Sequence, residues 1–305
     1  MASITFVEAA KLCQDELVSG LIENVITVNP FYNILPFDSI DGNGLTYNRE
    51  DVLGDVQVAG VGDTITAKNA TTFTSVTSVL TSILGDAEVN GLVQATQSGE
   101  TNQTAQQIAS KTKTASRKYQ DMLINGTGAG NEFLGLLGLV PSAQKVPTGA
   151  TGMNLSFGVL DTLMHLVVSK DGQVDYMLMP ARTIRAYKAL LRALGGAGVN
   201  EVMEMPNGAR VIAYEGVPIF RNDYIPTNQT KGGYANCTTI FAGCIDDGSR
   251  KVGLTGLTAR NAYGLEVEQV GVHQTKDERI WRVKWYCGLA LFSQLGVASA
   301  DGIRD

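Results

Sequence analysis

Thr101–Leu139 reads TNQTAQQIASKTKTASRKYQDMLINGTGAGNEFLGLLGL, and the fold turns on how this stretch is understood. Ala105, Ile108, Thr112, Ala115, Tyr119 and Met122 recur in steps of three and four. That spacing predicts one long amphipathic helix with a single packing face. Ser98 and Thr101 are its candidate N-caps. Asn125-Gly126 ends it, because glycine adopts the left-handed conformation of a C-cap at little steric cost. The chain then turns through Gly126, Gly128 and Gly130 and re-enters the core with Phe133, Leu134, Leu136, Leu137 and Leu139.

The segment GTGAG is not a phosphate cradle. Such cradles follow a strand and open a helix, so that amides at the helix N-terminus face the anion. Here the glycines follow a helix, no GK[ST] is present, and no acidic residue stands about 20 residues further on. They form a structural turn.

Asp121, Leu123, Asn125, Gly126 and Gly128 spell D-x-L-x-N-G-x-G, and Gly135 and Gly138 continue it as G-L-x-G-L. This pattern resembles the major capsid proteins of tailed bacteriophages, which have the Hong Kong 97-type fold that encapsulin shells share. The resemblance makes the helix a "spine" and implies an α+β architecture in four parts. These are an N-arm (1–40), an extended β-hairpin or E-loop (41–83), a peripheral domain (84–153, completed by 262–305 and so discontinuous) and an axial domain (154–261).

The rest of the chain is read on its own terms. Phe6 to Ile22 carries a short helical pattern that Asn29-Pro30 ends. A lone helix of that length is marginal and needs a surface to lie on. In 41–82, Val56-Gln57-Val58 and Thr64-Ile65-Thr66-Ala67 alternate around the turn cluster Gly60-Val61-Gly62-Asp63. A two-stranded ribbon is barely stable alone, so it packs either on its own domain or, as the resemblance implies, on a neighbouring subunit. On the reading that the resemblance implies, Gly60, Gly62, Thr64, Thr66 and Lys68 mark an intersubunit arm. Residues 141–154 are a Pro/Gly/Thr linker and a reasonable domain boundary.

Further on, Leu155–Val168 is a helix with Leu160, Leu163, Met164 and Val167 inward. Tyr176–Met179 is a buried strand ending at Pro180. Ala181–Leu194 is a helix bearing Arg182, Arg185, Lys188 and Arg192, stopped by Gly195, Gly196 and Gly198. Arg210–Tyr214, Val217–Phe220 and Thr239–Gly243 are further strands. The order of these elements, with G-V-P-I, I-P and I-F-A-G, is similar to the family's axial domain. Leu265–Glu268 and Trp281–Trp285 alternate around a hairpin tip at Thr275–Glu278. This pair is expected beside the central helix, and the polar tail 298–305 is expected to end the fold.

With 305 residues, two domains are the prior. Charged residues make up 18%, below the usual quarter or so, which points to a surface largely covered by partners. The net charge of −6 excludes a general nucleic-acid binder. The N-terminus lacks the features of a signal peptide, and no apolar run of about 18 residues marks a membrane span. Cys13, Cys237, Cys244 and Cys287 are scattered without a CxxC and read as reduced packing thiols.

Little suggests chemistry. His165 and His273 fall short of the ligands a zinc site needs, and no GxSxG elbow is present. No cofactor and no enzymatic activity are expected. Lys111, Lys113, Arg117 and Lys118 flank the helix's apolar stripe. They form a solvated face or, alternatively, contact packaged DNA phosphates or a neighbour's acids. Some members of the resembled family form Lys–Asn crosslinks between subunits. Lys68 lies in the required region, but no motif identifies its partners.

The resemblance implies a structural shell protein that self-assembles through pentamers and hexamers into the icosahedral head of a tailed phage. The glycines at 126, 128, 130, 195, 196 and 198 would be the turn points that let copies differ in shape. The head would enclose double-stranded DNA without sequence-specific binding, in a virion assembled in the host cytoplasm. Portal, scaffolding and decoration proteins are the implied further partners. The N-arm begins almost at Met1, so no processed prodomain is expected. The alternatives are an encapsulin-like nanocompartment and, less favoured, a soluble α/β enzyme.

Overall fold

Runs of alternating apolar residues assemble most of the chain into two sheets, and a third pair of strands stands apart as a ribbon. The computed structural model describes residues 31, 34–97, 102–169, 172–193, 202–204, 208 and 210–305. Its elements are β1 (Phe37–Ile40), β2 (Gly44–Val52), β3 (Thr72–Val79), β4 (Thr81–Asn90), α1 (Gly91–Gln97) and α2 (Gln103–Asn125). Next come α3 (Leu136–Leu139), β5 (Met153–Asn154), α4 (Phe157–Val168), β6 (Tyr176–Met179) and α5 (Ala181–Ala193). The last are β7 (Val202–Glu204), β8 (Arg210–Tyr214), β9 (Val217–Arg221), β10 (Gln229–Lys231), β11 (Tyr234–Gly243), β12 (Leu254–Ala259), β13 (Leu265–Val272), β14 (Glu278–Leu291) and β15 (Val297–Arg304). No described helix is long and apolar enough to cross a membrane.

The first sheet is built on β14, which pairs antiparallel with β4, β13 and β12, while β1 joins β12 in parallel. Alternation sorts its side chains. Val283 and Trp285 are buried, and the Trp285 ring lies 4.7 Å from that of Tyr119 on α2. On the other face Arg282 donates two bonds, of 2.7 and 2.9 Å, to Asp86 directly opposite on β4. Lys284 meets Glu268 of β13 at 2.8 Å. The strand pair expected beside the long helix is therefore there, with its aromatic face toward the helix.

The second sheet runs β5-β15-β11-β6-β9-β8-β7, with β10 added to β11. Met177, Met179, Ile240, Ala242, Ala298 and Ala300 point to one face and share a core with Leu160, Leu163 and Val167 of α4 and Tyr187 and Leu191 of α5. The intervening Tyr176, Leu178, Phe241 and Val297 point to the other face. They join the core that also holds Tyr119, Met122 and Ile124 of α2 and Trp285 of the first sheet. The C-terminal half of α2 thus shares one hydrophobic core with both sheets.

Several expectations need correction. Val297–Arg304 does not end the fold as a polar tail. It is a strand between β5 and β11, with Val297, Ala298, Ala300 and Ile303 fully buried. Alternate alanines let α4 pack close at this strand, and small side chains give it little hydropathy. β12, which lies within 154–261, pairs with β1 and β14 of the first sheet. β15, which lies within 262–305, completes the second. The packing face of α2 is shorter than its periodicity implies: Ala105 is exposed, and burial becomes continuous only from Ala115 onward. Asn102 caps α2, its side chain accepting from the Ala105 amide at 3.2 Å. Ser98 and Thr101 lie outside the described residues, as do the helical pattern in 1–30, Cys13, and the glycines at 195, 196 and 198.

Candidate assembly interface

The ribbon has a firm root. β2 and β3 pair antiparallel from Gly44↔Val79 to Val52↔Thr72. Leu45, Tyr47 and Leu80 pack on a small core of Ile40, Leu257, Ala290 and Phe292. Tyr47 donates its hydroxyl to the Leu291 carbonyl at 2.8 Å, and its ring meets Phe292 edge-on at 5.2 Å. Arg49 donates Nε to the Phe292 carbonyl at 2.8 Å and a second nitrogen to the Leu291 carbonyl. Its guanidinium also lies over the Tyr47 ring. Charged donors on backbone carbonyls are among the stronger hydrogen bonds, so the root is held at a fixed angle to β14.

Beyond the root the backbone ladder stops. The alternation at Val56–Val58 and Thr64–Ala67 predicts paired strands there, but residues 53–71 form none. Polar side chains replace the ladder, as Asn, Asp, Thr and Gln do when they compete for backbone groups. The Gln57 side-chain oxygen accepts from the Thr66 amide, the Thr66 hydroxyl and the Ala67 amide at 2.7 to 3.0 Å. Its amide nitrogen donates to the Thr64 carbonyl. Asp55 accepts from the backbone and side chain of Asn69. Asp63 accepts from the Gly60 amide at 2.6 Å, and Gly62 has the positive φ of +91° that the turn demands.

The tip is ordered by polar contacts and covered by apolar side chains. Val56, Val58 and Val61 are 95%, 104% and 109% exposed, and Leu53, Ile65 and Phe73 are exposed beside them. Gly60, Gly62, Thr64, Thr66 and Lys68 all lie on this limb and are exposed with it. Large exposed apolar patches are the usual candidates for interaction sites. Sequence reasoning located the limb but missed Tyr47, Arg49 and Gln57. The alternation Tyr47-x-Arg49 signals one strand face, but nothing local signals Leu291 as its partner.

The turn after α2 is a closed loop with a different basis from the one expected. Gly126 has φ −54° and ψ 131°, so it is not a left-handed cap. It must be glycine because a Cβ there would lie 2.2 Å from the Phe133 carbonyl oxygen and 2.6 Å from that of Met122. The Gly126 amide donates to Met122, and its carbonyl accepts from the Gly135 amide, both at 2.9 Å. Gly135 is equally crowded. Gly128 and Gly130 do take positive φ, +69° and +64°. The Asn125 side-chain amide donates to the Asp121 carboxylate and the Tyr224 carbonyl, tying the end of α2 to the loop after β9.

The four cations of α2 are not gathered into one patch. Lys118 pairs with Glu132 at 3.2 Å and holds the Glu132 carboxyl below its usual range. Arg117 donates to the Tyr224 hydroxyl at 3.4 Å. Lys111 lies near Gly85 of β4, where its charge adds to that of Arg282 on Asp86. Lys113 is exposed. Cys237, Cys244 and Cys287 are buried free thiols, and burial pushes Cys244 up to about 11 and Cys287 to about 12. Among the described residues no three His, Cys, Asp or Glu side chains are grouped to hold a metal ion.

A model of the SU10 major capsid protein family matches residues 18–216, more than half of the chain. No curated protein matches. The fold is similar to that of the SrpI encapsulin of Synechococcus elongatus PCC 7942, with a TM-score of 0.75 at 18% identity over 99% of this chain and 96% of that one. It is also similar to the capsid of a native GTA particle, at TM-score 0.64 and 14% identity over 95% and 96% of the two chains. The capsid of the Myoviridae phage XM1 gives TM-score 0.63 and 13% identity over 99% and 100%. At these identities the structures establish a shared fold.

Proposed function

This chain belongs to the SU10 major capsid protein family, and from that membership we propose how its copies hold one another. It is a structural major capsid protein of the Hong Kong 97-type fold, and its copies associate into the icosahedral shell of a tailed-bacteriophage virion. The ribbon reaches onto an adjoining copy and buries Val56, Val58 and Val61 there. The observation that carries this reading is their exposure on a limb whose root is bonded to Leu291 and Phe292. Fully burying one valine is worth about 1.5–3 kcal/mol. Because the tip is already ordered by Gln57 and Asp55, less conformational freedom is lost on docking. Each copy gives a limb and receives one, so simultaneous contacts around a closed shell make escape of one subunit rare.

The spine helix with the β14 sheet supplies the peripheral domain, and the sheet centred on β11 with α4 and α5 the axial domain. The N-arm adds a second intersubunit limb ahead of Phe31, which with Leu35 and β1 is packed into the subunit's own body. The shell contains double-stranded DNA rather than gripping it, in keeping with a net charge of −6 and with an α2 whose Lys118 is already paired. Portal, scaffolding and decoration proteins are its further partners, and assembly takes place in the host cytoplasm. An encapsulin-like compartment shares the fold, but the family match is to a phage capsid protein. Electron microscopy of the purified chain tests the reading. Closed shells are expected, and a monodisperse monomer with the ribbon folded on its own body would overturn it.

A further inference from the structure

A groove of about 760 Å³ opens between α5, the start of β11 and the end of β15. Leu155, Ala186, Ala189 and Leu190 give it an apolar lining, and Arg182, Arg185 and Arg304 line it as well. Their states differ. Arg182 is satisfied by the Asp305 carboxylate, the Thr227 carbonyl at 3.1 Å and the Asn236 carbonyl. Arg304 lies over the Tyr234 ring, 4.3 Å from its centroid, and its buried Nε has no acceptor. Arg185 is exposed and has no acceptor among the described residues. Of the three, only Arg182 is paired with a carboxylate side chain, that of Asp305.

We propose that this groove binds an acidic peptide segment of a partner protein, with carboxylates on Arg185 and Arg304 and aliphatic side chains against Leu155 and Leu190. The guanidinium fork can match a carboxylate in two parallel bonds, and Asp305 already shows that a carboxylate seats here, accepting from Arg182 Nε. The volume suits a few side chains, within the range of about 300–1,000 Å³ found for ligand pockets. The cationic surplus is local, on a chain that is acidic overall. A nucleic-acid strand needs a long basic track and free aromatic faces, and here a face of Tyr234 is covered by Arg304. The site does not depend on shell closure, so it stands or falls separately from the proposed role of the ribbon.

Fluorescence anisotropy of a short fluorescein-labelled peptide of alternating Asp and Leu, titrated with the full-length protein, tests this. Saturable binding that weakens with added salt is expected. Arg185→Glu and Arg304→Gln should each weaken it about tenfold or more. Lys188→Glu, on the same helix but outside the groove, should change it less than about threefold. Arg185 is exposed, so its variant keeps the fold, which an unchanged circular dichroism spectrum verifies. The proposal is overturned by an absence of saturable binding, by unchanged affinity in Arg185→Glu, or by equal affinity for a Lys–Leu peptide. Tighter binding of an oligothymidylate strand overturns it as well.

Discussion

Arg49 donates from Nε to the carbonyl of Phe292 at 2.8 Å, across 243 positions of sequence, and this bond sets the direction in which the ribbon leaves the body. Replacing it with alanine removes two charge-assisted bonds to backbone carbonyls. For a half-exposed group the expected loss is about 1–2 kcal/mol of local stability at the root. Arg49→Ala subunits should melt close to the parent temperature, yet be cut by protease between residues 44 and 79 several times faster. Equal cutting rates would show that the root is held without this side chain.

The exposed valines separate folding from assembly. Val56→Asp, Val58→Asp and Val61→Asp change side chains that touch almost nothing within the subunit, so the stability of the isolated chain should move by less than about 0.5 kcal/mol. Shell formation, followed by light scattering or sedimentation, should fall sharply for each and vanish for the triple variant. Normal shells from the triple variant would rule out the apolar tip as the contact.

Gly126 and Gly130 should respond differently to alanine, although both lie in one turn. At Gly126 the new Cβ would press on two backbone oxygens, and relief requires breaking the bonds to Met122 and Gly135. A cost of about 3 kcal/mol or more is expected. At Gly130 there is open space and only a left-handed φ to maintain, for about 1 kcal/mol. Urea unfolding of dissociated subunits measures both, and similar midpoints would contradict the distinction.

The Asp86–Arg282 pair makes a prediction about acid. Chiefly through its hydrogen bonds, Arg282 holds the Asp86 carboxyl below the usual carboxylate range. A depressed folded-state value means that the contribution is complete above the ordinary carboxylate pKa and fades as pH falls through the folded one. The stability difference between parent and Asp86→Asn should therefore be constant above about pH 5 and shrink steadily below about pH 4. A difference that grew on acidification would have the wrong sign for this pair.

How far the sequence could be read depends on whether a signal was local. Ala115, Tyr119 and Met122 repeat within one helix, and that period is enough to place them against a core. Trp281–Trp285 alternates within one strand, so its aromatic face was legible too. Ala298 and Ala300 gave no such warning, because a buried strand under a close helix needs small side chains rather than greasy ones. Gly126 reads as a left-handed cap, yet glycine is needed there for another reason. Its crowding comes from Phe133 and Met122, and a close approach is invisible until the loop is closed. In the ribbon, Gly60, Gly62 and the threonines announce a hairpin. Gln57 looked like one more polar residue in an alternating strand, and only its three donors reveal it as the tip's organiser.

The position of β15 bears on synthesis. It lies between β5 and β11, yet the ribosome delivers it after both. Until residue 304 has emerged, the second sheet lacks an interior strand, and α4 has no Ala298 or Ala300 to rest on. A nascent chain stalled before Val297 should therefore be digested readily through α4 and β11, while one extended past Arg304 resists. Half-made copies would then be kept out of a growing head, because no partial translation product presents a finished body for neighbours to join.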